Sequence, residues 1–169
     1  MQIRDAHAAD IPTITTIYND AVEQTTAIWN EKRVDEENRQ NWLSDRTRAG
    51  FPVLVAVDDH GAVLGYASFG DWRTFDGYKH TVEHSVYVAS GQRGGGIGRA
   101  LMVALIERAR ALGKHAMVAG IEAGNAPSIQ LHETLGFKQV GLLPQVGTKF
   151  GRWLDLAFMQ LTLDDRQAP

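Results

Sequence analysis

A glycine-rich segment in the middle of the chain constrains the fold more than any other feature. Residues 85–114 read SVYVASGQRGGGIGRALMVALIERARALGK, with five glycines within the eight residues 91–98. The residues before the glycines predict a strand, and those after them place apolar side chains at helical spacing. A glycine-rich turn that leads into a helix commonly binds phosphate, because backbone N–H groups and the positive end of the helix dipole converge there. The segment therefore predicts a strand, a phosphate-binding loop and a helix.

The rest of the chain predicts strands and helices in the order βααβββαβαββ. The runs PVLVAV and VLGYASFG, separated by DDHGA, indicate an antiparallel hairpin. Such an order is typical of an α/β protein with a mixed sheet covered by helices. The chain has 169 residues, 44% of them hydrophobic, which suffices for one core and is short for two. We therefore expect a single domain over residues 1–169.

Composition excludes several classes of function. The net charge is −3 and Lys and Arg form no block, so nucleic acid is not an expected partner. The absence of cysteine excludes disulfides, thiolate metal sites and a cysteine nucleophile, and we expect no metal. The first residues, MQIRDAHAAD, are too polar for a signal peptide, and no segment approaches the roughly 18 apolar residues of a membrane span. These features predict a cytoplasmic protein without a membrane partner.

The chain does not match two familiar phosphate-binding motifs. A dinucleotide-binding G-x-G-x-x-G motif that begins at Gly96 requires a third glycine where the chain has Leu101. A P-loop requires a lysine after its second glycine, and the chain has Ile97 after Gly96. A loop that merely turns remains an alternative, although each glycine costs roughly 0.5–1 kcal/mol of chain entropy.

A third motif fits. Arg93 to Gly98 satisfies the pattern [Q/R]-x-x-G-x-[G/A] and resembles the GNAT superfamily of acyl-CoA-dependent N-acetyltransferases, as does the later NAPSIQLHETLGF segment. The segments FGDWRTFDGYKHTVEHSVYV, GNAPSIQLHETLGF and PQVGTKFGRWLDLAFMQ resemble the phosphinothricin acetyltransferase branch. Within that branch, the chain is most similar to bacterial enzymes that acetylate L-methionine sulfoximine and methionine sulfone, over nearly its whole length.

The resemblance implies the GNAT fold, acetyl-CoA as co-substrate and a homodimer. It places a dimer contact near QVGTKFGRWLD, for which a solvated hairpin is the alternative. It assigns the pyrophosphate cradle to Arg93, Gly94, Gly95, Gly96, Ile97, Gly98 and Arg99. The backbone of Val86, Tyr87 and Val88 is expected to bind pantetheine. Asn125 is expected to contact the same arm, or else only to cap a helix, a role that asparagine fills well.

Two residues are candidates for proton transfer. Glu83 lies in an otherwise apolar strand, where a carboxylate is costly without partners or a function. The resemblance places such a glutamate at the acceptor's amine as the base, acting directly or through water; structural pairing with Arg73 or Lys79 is the alternative. His132 stands where many GNAT members carry the tyrosine proposed to protonate the leaving thiolate. It could act as general acid, as a second base or structurally.

An amino-acid acceptor carries an α-carboxylate, for which the two-pronged guanidinium of arginine is the natural receptor. Arg73, in the segment before the predicted strand that carries Glu83, is the first candidate for this role. Phe75 and Trp29 are expected to line the pocket for the acceptor's side chain, or else to be ordinary hydrophobic packing. The predicted acceptor site comprises Trp29, Arg73, Thr74, Phe75, Glu83, His84 and Ser85.

The sequence therefore predicts an N-acetyltransferase that moves an acetyl group from acetyl-CoA to the α-amino group of a small amino acid. Three named candidates are L-methionine sulfoximine, methionine sulfone and phosphinothricin. The alternatives are another acceptor, such as a polyamine, an aminoglycoside or a protein N-terminus, and a non-catalytic acyl-CoA sensor. A sensor would need neither Glu83 nor His132.

Overall fold

A computed structural model describes the whole chain, residues 1–169. Seven strands form one sheet: β1 Gln2–Asp5, β2 Val53–Val57, β3 Val63–Asp71, β4 Thr81–Val88, β5 Ala116–Glu122, β6 Lys138–Lys149 and β7 Arg152–Thr162. Four helices accompany it: α1 Ile11–Gln24, α2 Glu36–Arg48, α3 Ile97–Ala111 and α4 Ala126–Thr134. The predicted order is confirmed; two short 3₁₀ turns, Ala8–Asp10 and Asp76–Tyr78, add to it. None of the helices has the length and apolar character needed to cross a membrane.

The sheet has the order β1-β2-β3-β4-β5-β7-β6, and only β4 and β5 are parallel neighbours. These two strands pair only where Thr81 to Glu83 face Ala116 to Val118, and they are not paired beyond that point. Both strands continue after the pairing ends, β4 to Val88 and β5 to Glu122. The sheet is therefore split at its centre, and its two halves separate next to the glycine-rich loop.

Helices cover both faces of the sheet. Leu101, Met102 and Leu105 of α3 are fully buried in the main core on one face. On the other face, Ile14 and Ile17 of α1 belong to a second cluster that includes strand residues of β2 and β3. Strand β4 pairs regularly with β3, without a bulge. Its side chains therefore alternate, so that Glu83, Ser85 and Tyr87 face α1 and α2 while the intervening residues face α3 and α4.

Strand β6 is longer than the sequence indicates. The run FKQVGLLPQV predicts a strand that ends at Val146, whereas β6 continues to Lys149 and passes through Pro144. Two register shifts interrupt its pairing with β7. Because β6 is an edge strand with a single neighbour, a proline that cannot donate to the ladder is tolerated there.

Candidate active site

The glycine-rich loop borders the larger of two adjoining cavities, a cleft of about 460 Å³. Gly96 lies just before α3 with a φ of 79°, in the left-handed region that glycine adopts without penalty. No side chain caps α3, so the backbone N–H groups of its first turn remain available. The cleft is lined by Ala21, Thr25, Ala27, Val86, Tyr87, Val88, Gln92, Arg93, Gly94, Gly96, Ile97, Gly98, Arg99, Asn125, Pro127, Ser128 and Leu131.

The shape of this cleft fits a phosphate-bearing ligand. A β-carbon at Gly96 would meet no protein atom within 4 Å, and one at Gly98 would meet only Leu131 and Val88, at 3.5 and 3.7 Å. Packing against protein atoms therefore does not require glycine at either position. At Gly96 the left-handed backbone favours glycine, and at Gly98 the missing side chain leaves the backbone open to the cleft. The predicted cradle residues and the predicted pantetheine strand, except Gly95, line this one cleft.

Asn125 occupies the N-cap position of α4. Its Oδ1 accepts a hydrogen bond from the backbone N–H of Ser128 at 3.3 Å. Asn125 also lines the cleft. The capping alternative is therefore realised in the structure, and its position leaves the predicted contact with pantetheine open.

A second cavity, of about 80 Å³, lies in the gap between β4 and β5. Its walls include His84 and Ser85 from β4, Gly120 and Glu122 from β5, and His132 from α4. Tyr87, Val86 and Asn125 border both cavities. The two cavities therefore adjoin where the strands separate, and α4 brings His132 to the gap.

His84 and His132 form a buried pair. Their rings stack with centroids 5.0 Å apart, and their Nε2 atoms are 3.0 Å from each other. His132 Nδ1 lies 2.6 Å from the carbonyl oxygen of Ser128, and because a carbonyl only accepts, this nitrogen carries the proton. In the neutral state His132 Nε2 must then accept from His84 Nε2–H. His84 Nδ1 is left as a buried acceptor without a protein partner.

Burial keeps both imidazoles neutral. Desolvation, reinforced by the neighbouring His132, lowers the pKa of His84 to about 3. Desolvation also lowers the pKa of His132, against the opposing effect of its bond to Ser128. In the neutral pair, Ser128 accepts the N–H of His132 and His132 accepts the N–H of His84, so neither ring has a free proton to donate. The lowered pKa values also make both rings weak bases.

Glu83 lies on the opposite face of β4 and remains exposed. Its Oε1 lies 3.2 Å from the position that a β-carbon on Gly120 would occupy, so the carboxylate rests against β5. Although the residue is exposed, protein atoms surround part of the carboxylate, and desolvation raises its pKa above the usual value. Arg73 and Arg46 oppose this rise in pKa through their charge alone, without a hydrogen bond to Glu83. The predicted alternative, a structural ion pair with Arg73 or Lys79, is therefore not formed.

Three of the other predicted acceptor residues lie at the solvent-exposed edge of this face, whereas His84 is buried and Ser85 lines the second cavity. Arg73, Thr74 and Phe75 are exposed, Phe75 to 74%. The Arg73 guanidinium lies over the Trp72 ring, 4.8 Å from its centroid, and makes no hydrogen bond of its own to the protein. This leaves its two-pronged face free for a ligand. Phe75 packs against little in the structure, so the ordinary-packing alternative does not describe it.

Trp29 lies in the α1–α2 loop, residues 25–35, which is fastened to two strands. Trp29 Nε1 donates to the Thr26 carbonyl oxygen at 2.9 Å, and Thr26 Oγ1 donates to Glu122 on β5 at 3.2 Å. A β-carbon on Gly147 would lie 2.1 Å from the Trp29 ring, so the ring occupies the space that this glycine leaves open.

Lys149 of β6 binds the same loop through its ammonium group. Its side chain is almost completely buried, and Nζ donates to the carbonyl oxygens of Thr25 and Ile28. Desolvation lowers the pKa of this lysine, and the charge of Glu31 partly offsets the effect. No local pattern predicts this buried ammonium, because lysine in an edge strand is ordinarily exposed.

Comparison with known proteins agrees with this geometry. The family model described as the acetyltransferase (GNAT) family matches residues 14–137. The chain belongs to the GNAT family. A seven-stranded sheet split between β4 and β5, with a glycine-rich loop before α3, is thus the GNAT fold of this chain.

Similar members of the family are enzymes of amino-acid acetylation. The L-methionine sulfoximine/L-methionine sulfone acetyltransferase of Pseudomonas aeruginosa is 65% identical over 168 residues, which cover 99% of this chain and 98% of that protein. The phosphinothricin N-acetyltransferase of Alcaligenes faecalis is 38% identical and is matched over 96% of this chain and 82% of its own length. The structure of yncA from Salmonella typhimurium with its cofactor acetyl-CoA is 58% identical, with a TM-score of 0.97 and coverage of 100% and 97%.

Proposed function

We propose that the protein transfers the acetyl group of acetyl-CoA to the α-amino group of a small amino acid such as L-methionine sulfoximine, methionine sulfone or phosphinothricin. The observation that carries this proposal is the glycine cleft, which adjoins the gap between β4 and β5 beside Glu83. The acceptor class comes from the named relatives at 65% and 38% identity. We also propose that residues 1–169 form one domain, because one continuous sheet includes strands from both ends of the chain.

The cleft residues are suited to holding acetyl-CoA. The loop from Gly94 to Arg99 offers backbone N–H groups to the pyrophosphate, and Arg93 and Arg99 add positive charge. The unpaired edge of β4, from Val86 to Val88, offers backbone groups to the pantetheine arm. When bound, acetyl-CoA supplies a thioester whose carbonyl carbon forms a bond to the amine nitrogen while its C–S bond breaks.

Glu83 is the proposed base. Its carboxylate is unpaired, and desolvation makes it more basic than a solvated glutamate. It accepts the proton that the acceptor nitrogen loses as the C–N bond forms, directly or through a water molecule. We assign the neutral His132–His84 pair to the structure of the gap, because burial makes both imidazoles weak bases and both N–H groups of the pair are already bound. A role for neutral His132 as general acid is not supported by this arrangement.

The acceptor is proposed to bind on the α1–α2 face of the sheet. Arg73 binds the α-carboxylate through its free guanidinium face, next to the amine at Glu83. Thr74 and Ser85 supply polar contacts, and Phe75 and Trp29 wall the methionine-like side chain. The exposure of Phe75 is consistent with a wall that is covered only when an acceptor or a second copy of the chain is present.

We also propose that a second copy of the chain covers β6, making the protein a homodimer. The edge strand exposes Val140, Leu142, Leu143 and Val146, and the adjoining hairpin exposes Phe150 and Trp153, the latter to 67%. A row of apolar side chains on an unpaired edge is otherwise an aggregation hazard. The cytoplasm is the proposed location, as the cysteine-free composition indicates.

A thiol-release assay with acetyl-CoA tests the proposed function. The acceptors are the twenty amino acids, methionine sulfoximine, methionine sulfone, phosphinothricin, spermidine and a peptide with a free N-terminus. We expect turnover with methionine sulfone and methionine sulfoximine above all other acceptors. Turnover only with spermidine or the peptide would favour another acceptor class, and acetyl-CoA binding without turnover would favour a sensor.

A further inference from the structure

Arg46 of α2 places its guanidinium in the space left by a glycine of β3. An ideal β-carbon on Gly70 would lie 1.4 Å from Arg46 Nη1 and 2.6 Å from its Cζ. Arg46 is half-buried, and its one hydrogen bond is from Nη1 to the Phe69 carbonyl oxygen, at 3.2 Å. The guanidinium forms no ion pair with a carboxylate of the chain, so its positive charge is not neutralised where it lies.

The location of Gly70 brings this charge beside Glu83. Gly70 and Glu83 are directly opposed in the antiparallel register of β3 and β4. Directly opposed residues project from the same face, with β-carbons about 4.5–5.5 Å apart. The carboxylate of Glu83 leans away from Arg46, toward the space above Gly120. Glycines on both neighbouring strands thus make room, one for the cation and the other for the carboxylate.

The charged groups around this carboxylate are few. Arg46 faces it from α2 and Arg73 from the β3–β4 connection, and both stabilise its ionised form. Tyr87, on the same face of β4, is half-buried and neutral, with its pKa raised to about 12 by desolvation. Asp71 and Arg39 act on Arg46 itself, with opposite signs. From β5, the carboxylate is faced by Gly120, which carries no charge.

We propose that Arg46 is a positioning residue, which keeps Glu83 ionised and unpaired so that it can accept the proton of the acceptor's amine. A direct ion pair would hold the carboxylate in a fixed bond and weaken it as a base. A cation held by Phe69 over Gly70 stabilises the negative charge and leaves the oxygen atoms free. This inference rests on the proposed function, in which Glu83 is the base.

The pH dependence of kcat/KM for methionine sulfone, measured at saturating acetyl-CoA, tests the proposal. Ionisation of the base produces a bend on the acidic side of the profile. This bend is distinct from the one that deprotonation of the acceptor's ammonium group adds at the same pH in every variant. Arg46→Met removes the charge and keeps most of the side-chain length, so the bend should move up by about one pH unit, with a roughly tenfold loss of activity below it. The plateau above the bend should stay within about twofold of the wild type, because Glu83 is ionised there in both proteins.

Arg48→Met is the matched control. Arg48 lies on the same helix, is exposed and pairs with Asp45, so its loss should leave the bend in place. Arg46→Lys, which retains a positive charge, should keep the bend near the wild-type position. Gly70→Ala moves the guanidinium without removing it, because its β-carbon would clash with Nη1, and should shift the bend in the same direction as Arg46→Met but less. Arg46→Lys and Gly70→Ala also test the proposal if Arg46→Met folds poorly.

Two results would overturn the proposal. An unchanged bend in Arg46→Met would show that the charge of Arg46 does not affect the ionisation of Glu83. An equal loss at every pH would show that Arg46 binds the acceptor or supports the fold instead. Glu83→Gln separates these failures from a failure of the proposed function: if the bend survives in that variant, Glu83 is not the base and both assignments fall.

Discussion

Gly98→Ala should weaken acetyl-CoA binding and at the same time make the protein more stable. In the structure its β-carbon would lie 3.5 Å from Leu131 Cδ2 and 3.7 Å from Val88 Cγ2, which are ordinary contact distances. Gly98 is the second residue of α3, and alanine in a helix is favoured over glycine by up to about 1 kcal/mol. For a chain of this size, that gain corresponds to a rise in Tm of up to about 4 °C.

The same β-carbon lies on the wall of the cleft, where we propose that the backbone approaches a phosphate. Loss of one such contact, about 1.4 kcal/mol, corresponds to a tenfold increase in the KM for acetyl-CoA. Thermal unfolding with and without acetyl-CoA gives the stability change, and the thiol-release assay gives the KM. An unchanged KM in the stabilised variant would refute the assignment of this loop to phosphate.

Gly96→Ala is the informative companion. Its φ of 79° lies in the left-handed region, where a β-carbon costs roughly 1–2 kcal/mol. Gly96→Ala should therefore lose both stability and cofactor affinity, whereas Gly98→Ala should lose affinity alone. If both variants lost stability equally, the packing around Gly98 would be tighter than the distances indicate.

Three further predictions concern the reacting groups. Glu83→Gln preserves shape and removes the base, so kcat should fall by a factor on the order of 10²–10⁴ with the KM for acetyl-CoA retained; a near-normal kcat would assign Glu83 to structure. Arg73→Lys should raise the KM for methionine sulfone, because a point charge does not reproduce a two-pronged bond. The sulfone amide should be a poor substrate of the wild type. Equal kcat/KM values for the sulfone and its amide would contradict the proposed contact between Arg73 and the carboxylate. His84 has its pKa lowered to about 3 in the folded protein, so it stays neutral there, whereas in the unfolded chain it takes up a proton below about pH 6.5. The free energy of unfolding should therefore fall by up to about 1.4 kcal/mol per pH unit as the pH drops from 6.5 toward 3. Denaturant titrations at several pH values measure this slope, and His84→Gln should reduce it; an equal slope in the variant would contradict the assignment.

The fold was predictable because its main signals are local. The glycine-rich loop, the helical spacing after it and the PVLVAV and VLGYASFG runs each require only a short window of sequence. The alternation along β4 also sufficed to place Glu83 and His84 on opposite faces, since the strand is regular. By contrast, the length of β6 depends on register shifts and an edge position that no local window reveals.

The surroundings of the candidate base were not predictable in the same way. Arg46 is 37 residues before Glu83 in the chain and reaches it only across β3. The available signal was a glycine inside a predicted strand, because such a glycine often marks a close approach of another group. Gly70 and Gly120 both carried that signal, but nothing local identified the partner of either one. Lys149 is a similar case, since its acceptors belong to a loop more than a hundred residues earlier.

The attachment of the α1–α2 loop to β6 has a consequence for how acceptor preference can diverge among related enzymes. A loop transplanted from a relative keeps its function only if its carbonyl oxygens meet the Lys149 ammonium and its aromatic ring finds the space above Gly147. A mismatched graft leaves a buried positive charge without acceptors, which is among the more costly defects in a protein interior. The α1–α2 loop and β6 therefore have to change together. Chimeras that exchange both should retain activity, whereas chimeras that exchange only one of them should not.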